Sequence, residues 1–146
     1  MLKLPPARDM VFFWALVYQN LDWVRAQDWD VKLWYVDRVL RGWVKIFYDP
    51  ASAGQPVGGI IWRPVVQWPN RLEDLWSYDE TGKNLWCDFL WAPDHWHLVK
   101  AWLIQSGFAQ GGWQHRTTCK VHIIDIARLC AHASSFNHLI ENGAGR

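Results

Sequence analysis

Asp88 is the one charge in an otherwise apolar run, Asn84 to Trp91 (NLWCDFLW). A carboxylate so placed must be solvated, hydrogen-bonded or protonated, because burying it unpaired costs roughly several kcal/mol. Two roles follow. Beside an open groove, with Trp86, Phe89 and Leu90 excluding water, Asp88 serves as base or orienter in acyl transfer. Alternatively it pairs with a nearby Lys, Arg, Tyr or indole NH and fixes the strand, the commoner fate of such carboxylates.

Other chemistries find less support in the sequence. His115, Cys119 and His122 have the spacing H-x3-C-x2-H, and Cys130-x-His132 follows, but on a strand Cys119 and His122 point to opposite faces. His95 and His97, two apart on a helix, also diverge, so no metal is expected. No Ser stands in a G-x-S-x-G setting and no Cys in a recognisable nucleophile context. Phosphate loops are missing as well: the pairs Gly58-Gly59 and Gly111-Gly112 lack dinucleotide spacing and read as strand irregularities.

The elements that must position these groups can be traced along the chain. Asn84 to Trp91 reads as a central strand, stopped by Ala92-Pro93. Asp94 is then expected to cap a helix in which Trp96, Val99 and Leu103 recur until Gly107 stops it. Upstream, Pro5-Pro6 and Asp9 introduce an apolar helix over Met10 to Leu21. Asp30 caps a second helix whose stripe Trp29, Leu33, Val36 and Leu40 is expected to face the core, with Lys32, Asp37, Arg38 and Arg41 elsewhere and Gly42 as stop. Trp43 to Tyr48 and Val57 to Arg63 form a hairpin across DPASAGQPVG. Pro64 to Gly82 is a loop crossing with a short helix over Asn70 to Ser77. Ala109 to His115 and Cys119 to Ile124 are further strands, and Asp125 caps a last helix with Ile126, Ala133, Phe136 and Ile140 on one face. This order predicts an α+β, mixed α/β fold in a single domain spanning residues 1–146.

Composition narrows the partners. Lys plus Arg number 15 and Asp plus Glu 14, a net charge of +1 that gives no electrostatic reason to expect nucleic acid or an anionic membrane. The longest apolar run, Met10 to Tyr18, is too short to span a bilayer, and MLKLPPARD lacks the pattern of a secretory leader, so a cytoplasmic protein is expected. Three Cys without a CxxC pair indicate reduced thiols. The 13 Trp suit a core, an interface or a groove for a long apolar ligand equally well.

Taken together, the hairpin, long crossing, strand, helix and strand resemble the Gcn5-related N-acetyltransferase fold, a central, mostly antiparallel twisted sheet flanked by helices. The pyrophosphate-binding motif Q/R-x-x-G-x-G/A of that fold is replaced here by PDHWHLV. One branch that lacks the same loop is the RTX toxin-activating lysine acyltransferase family. Asp28-Trp29-Asp30-Val31-Lys32-Leu33-Trp34 resembles its Asn-Trp-Pro-Val-x-Leu-Phe segment, and Leu85 to Pro93 (LWCDFLWAP) resembles its Trp-Phe-Ile-Asp-Trp-Ile-Ala-Pro strand, with a one-residue shift. Gly59-Ile60-Ile61-Trp62 falls where the family has an apolar strand ending in Trp, so the likeness covers about Met10 to Pro93.

The resemblance implies transfer of an acyl group from an acyl carrier protein thioester or acyl-CoA to an amine such as a protein lysine, and a homodimer. It places Asp88 in the catalytic pair and backbone amides of Phe89, Leu90 and Trp91 around the thioester. The family's catalytic His falls on Ala26, and no His precedes His95. The resemblance therefore implies either another base, His95 or His97, or a non-catalytic descendant that grips a protein partner, as accessory or inhibitor, through its Trp-rich surface.

Overall fold

The computed structural model describes residues 4–20, 28–69, 76–115 and 118–131, with side chains in the second helix described from Val31 onward. The chain runs through α1 (Ala7–Asn20), α2 (Asp28–Arg41), β1 (Val44–Tyr48), a 3-10 turn (Pro50–Ser52), β2 (Pro56–Val65), β3 (Asn84–Trp91), α3 (Trp96–Gln105), β4 (Gln110–Gln114) and β5 (Val121–Asp125). Residues 126–131 are again helical. One five-stranded sheet has the order β1-β2-β3-β4-β5. Every neighbouring pair is antiparallel except β3 and β4, which run parallel because α3 carries the chain back between them. The class is therefore α+β with a mixed sheet, as expected.

Helices cover both faces of the sheet. On one, Phe13 and Val17 of α1 and Val31, Trp34 and Tyr35 of α2 pack on Val44, Ile46, Ile61 and Phe89. On the other, Val99 and Leu103 of α3, with Ile126, pack on Phe47, Ile60, Trp62 and Leu85. Gly42 (φ 78°) and Gly107 (φ 81°) stop α2 and α3 in the left-handed conformation that glycine adopts without strain. Asp125 caps the final helical residues by accepting from the Arg128 amide at 3.0 Å.

Several local expectations are corrected. The face of α2 that meets the sheet carries Val31, Trp34, Tyr35 and Arg38, whereas Leu33, Val36 and Leu40 are exposed. Both sides of α2 are apolar, and the sheet took the side with the two large aromatics, which removes more surface from water. Asp94 does not cap α3: the helix starts after His95, which makes no side-chain cap bond. The His95 amide instead donates to the Ala92 carbonyl at 3.1 Å. This closes a turn with Pro93 second and Asp94 third, at φ 63°. Asp9 lies in the first turn of α1 rather than at its cap, buried and accepting from the Tyr48 hydroxyl at 2.5 Å. Burial, then this bond, pushes the Tyr48 phenol up to about 12. Cys119 sits in the β4–β5 turn at φ 56°, ahead of β5. The short helix expected over Asn70 to Ser77 falls largely outside the described residues.

The double glycines are sites of close approach. A Cβ on Gly58 would lie 2.4 Å from the Trp91 carbonyl oxygen and 2.7 Å from the Ala92 Cα, and one on Gly59 would lie 2.5 Å from the Phe13 ring. Gly58→Ala meets backbone that has nowhere to move, and is expected to cost about 2 to 3 kcal/mol in urea denaturation. Gly54→Ala has nothing within 4 Å and only its positive φ (79°) to oppose it, so the loss there should be about 1 kcal/mol.

Candidate functional site

A break in the alternation of β3 builds the site. Leu85 and Cys87 side with the α3 core, and simple alternation would send Phe89 and Trp91 the same way, yet both pack with the α1 and α2 core. The change occurs at Asp88. Ile61 and Trp62, adjacent on β2, pair with Phe89 and Cys87, so Asp88 is the extra residue of a β-bulge. The strand bends there and the following side chains are re-aimed.

On its other side, β3 pairs with β4 over three residues only, Asn84 to Trp86 with Gln110 to Gly112. Beyond that point β3 stays on β2 while β4 stays on β5, and the two diverge. The gap between them is a cleft of about 600 Å³, within the range typical of small-molecule sites. Its floor and mouth include Trp86, Leu90, Trp91, Trp96 and Trp113, and Val99 and Leu103 of α3 close one wall. Trp68 sits over the narrow end, so that a Cβ on Gly112 would lie 2.8 Å from its ring. Main-chain amides of Cys87 to Trp91 that turn away from β2 face this gap rather than a neighbouring strand.

The Asp88 side chain, 3% exposed, meets Arg63 of β2, 0% exposed, at 3.3 Å. Arg63 also donates to the Ser77 carbonyl at 2.8 Å. A second fully buried guanidinium, Arg38 of α2, donates to Asp37 at 2.6 Å and stacks near Trp43, Trp76 and Tyr78. Burial holds Arg38 below its ordinary value; Asp88 counters this, and Arg63 reinforces it. The carboxylate is therefore part of a buried charge cluster between the sheet and α2. The Arg63–Asp88 pair holds β2 and β3 in one register; removal of one partner leaves the other charge uncompensated.

Asp88, Phe89, Leu90 and Trp91, expected at the site, all line the cleft, whereas His95 and His97 do not. His95 Nε2 lies 3.3 Å from the Asp49 carboxylate, and its Nδ1 is 2.7 Å from the Pro93 carbonyl oxygen. This ties the 3-10 turn to the end of β3. The Ala51 amide, then the bond to His95, holds Asp49 below its usual carboxylate value. Ala26 lies outside the described residues. Among the described residues no group of three His, Cys, Asp or Glu could hold a metal ion. No described helix is long and apolar enough to cross a membrane.

Two participants were not singled out in the sequence. Arg63 had a signal: it is the one charge in the apolar run of β2, as Asp88 is in that of β3, and opposite lone charges on adjacent strands call for pairing. Trp113 had none, since its place at the mouth depends on where β4 leaves β3.

Asp88→Ala is expected to lower stability by about 3 to 5 kcal/mol, while Asp88→Leu combined with Arg63→Met loses less than either single change, as read by urea denaturation. Burial, then the Asp88 charge, pushes the Cys87 thiol up, against the Phe89 amide. The folded form thus keeps a proton that the unfolded chain releases above a pH of about 8.5, so stability should fall at about 1.4 kcal/mol per pH unit beyond it. Cys87→Ser should flatten that fall. In a disulfide-exchange assay, exposed Cys119 should react first and Cys87 last.

Comparison of the chain with protein-family models, with curated proteins and with solved structures finds no match.

Proposed function

We propose that this chain is an acyltransferase-like protein whose β3–β4 cleft takes an acyl thioester, presented by acyl carrier protein or coenzyme A, and delivers the acyl group to an amine such as a protein lysine. The observation that carries this reading is the Trp-lined opening in the middle of the sheet, beside the bulge at Asp88. An apolar chain fits its walls, and an extended arm bearing amides fits the main-chain groups of β3 that have no strand opposite them. In the transfer, the amine nitrogen bonds to the thioester carbonyl carbon, the C–S bond breaks with the electron pair leaving on sulfur, and the proton lost by the amine passes through water to that sulfur, which leaves as the thiol. A main-chain amide of the Phe89 to Trp91 segment that turns away from β2 stabilises the oxyanion, while Asp88, held by Arg63, acts as a positioning residue that fixes the bulge. The order of hairpin, crossing, strand, helix and parallel strand supports an acetyltransferase-like fold and the resemblance on which the reading rests.

A second reading is favoured by one observation: Asp88 is engaged with Arg63, and neither His95 nor His97 lines the cleft. In that reading the chain binds without transfer and grips a protein partner as accessory or inhibitor.

Calorimetric titration with a long-chain acyl carrier protein thioester and, separately, with acyl-CoA tests both. Saturable binding of one donor is expected, weakened about tenfold by Leu90→Asp, which replaces apolar contact with a negative charge at the exposed rim of the cleft, against the donor's phosphates. Binding without loss of the acyl group to any amine, followed by mass spectrometry, favours the second reading. No binding of either donor at high micromolar concentration overturns the first.

A further inference from the structure

On the α3 side of the sheet one lateral row reads Leu85, Gly111 and Ile124, from β3 through β4 to β5. Its middle member has no side chain, so the row carries a gap between two apolar residues. Ile60 of β2 and Val99 and Leu103 of α3 belong to the same apolar cluster, and all six residues line the β3–β4 cleft. Leu85, Val99 and Leu103 are 1%, 1% and 4% exposed, so this deep end of the cleft is apolar and shut off from water.

Nothing in the backbone requires glycine at position 111. Among the described residues, Gly42, Gly54 and Gly107 have φ of 78°, 79° and 81°. A Cβ on Gly58, Gly59, Gly82 or Gly112 would lie 2.4, 2.5, 2.6 or 2.8 Å from another atom. Gly111 has neither reason. Its φ lies outside the left-handed region, and a Cβ there would meet Ile124 and Ile126 at 3.4 to 3.7 Å, an ordinary contact. A glycine inside a strand forfeits packing and backbone order, and it recurs where a ligand comes close.

We infer that Gly111 is a specificity-determining residue of the cleft: it leaves open, beneath α3, the seat for the far end of an unbranched acyl chain, and so sets how long a chain is taken. This rests on the reading of the cleft as a thioester site. The thioester then lies toward the mouth, beside the bulge and Leu90, and the chain runs inward along Val99 and Leu85 to the gap in the row. Each methylene on this path exchanges water for an apolar wall, so affinity rises about fourfold per carbon until the chain end meets Ile124.

Calorimetry of the full chain with straight-chain pantetheine thioesters, from butanoyl to tetradecanoyl, tests it; pantetheine is the arm that both carriers share. Affinity is expected to climb with chain length and then level off. Gly111→Ala should lower the ratio of tetradecanoyl to butanoyl affinity about tenfold, and Gly111→Val further, each moving the levelling point to a shorter chain. The thermal midpoint of Gly111→Ala should hold or rise. Gly112→Ala, turned to the other face against Trp68, should lower the thermal midpoint and keep the ratio. A ratio unmoved by both Gly111 changes overturns the inference and leaves the thioester reading standing, as does a ratio lowered equally by Gly112→Ala. A Gly111→Ala chain that melts well below the unsubstituted one overturns it too, because the space would then not be there. Binding of no thioester of any length overturns the inference and the thioester reading together.

Discussion

The ion pair between Arg63 and Asp88 is the constraint around which the sheet is arranged. Two opposite charges, each alone in an apolar strand, are brought together at 3.3 Å with almost no access to water. Neither is tolerable there without the other, so β2 and β3 have one acceptable register and Asp88 must turn toward the α1 and α2 side, where Arg63 lies. Placing it there costs the strand a regular step. The bulge at Asp88 is that step, and it hands Phe89 and Trp91 to the face opposite the one that simple alternation would give them.

The cleft is a consequence of the same bend together with a topological fact. Strands β3 and β4 run parallel because α3 returns the chain between them, and they hold together for only three residues. Past Trp86 each follows a different neighbour, β3 to β2 and β4 to β5. Trp side chains line the opening because no strand or helix fills it, and they supply apolar area with few rotatable bonds. A bend next to an opening, with no strand opposite one side of β3, is the geometry on which the proposed thioester site rests. The same geometry also serves binding without turnover.

The helical layer on the other side obeys a different rule. α1 and α2 bury one side each against the sheet, and Arg38 reaches inward from α2 into the charge cluster while the tryptophan and tyrosine rings around it exclude water. What is left on the outside of α2 is apolar too. A helix that is apolar on opposite sides has two surfaces to remove from water, and one sheet covers only one of them.

Much of the fold was legible in the sequence. Apolar runs bounded by Pro and Gly marked the strands, Gly42 and Gly107 marked helix ends through their left-handed preference, and Asp125 marked a cap. Asp88 was legible as an anomaly, because a lone charge in an apolar strand breaks the pattern whatever the tertiary context. Its partner was decided by the register of β2 on β3, which no local pattern contains. The periodicity of α2 revealed an apolar stripe at Leu33, Val36 and Leu40, but the sheet chose the opposite side, since Trp34 and Tyr35 bury more area than the stripe does. Asp94 reads as a cap and is held in a turn instead, because the chain must reverse within four residues after Pro93. By itself, then, the sequence determined, among the described residues, which segments are strands and helices, and that Asp88 needs a partner. Only the tertiary structure decided what that partner is, which side of α2 is inside, and that β3 and β4 part to leave a cleft, because those outcomes depend on contacts between residues far apart in the chain.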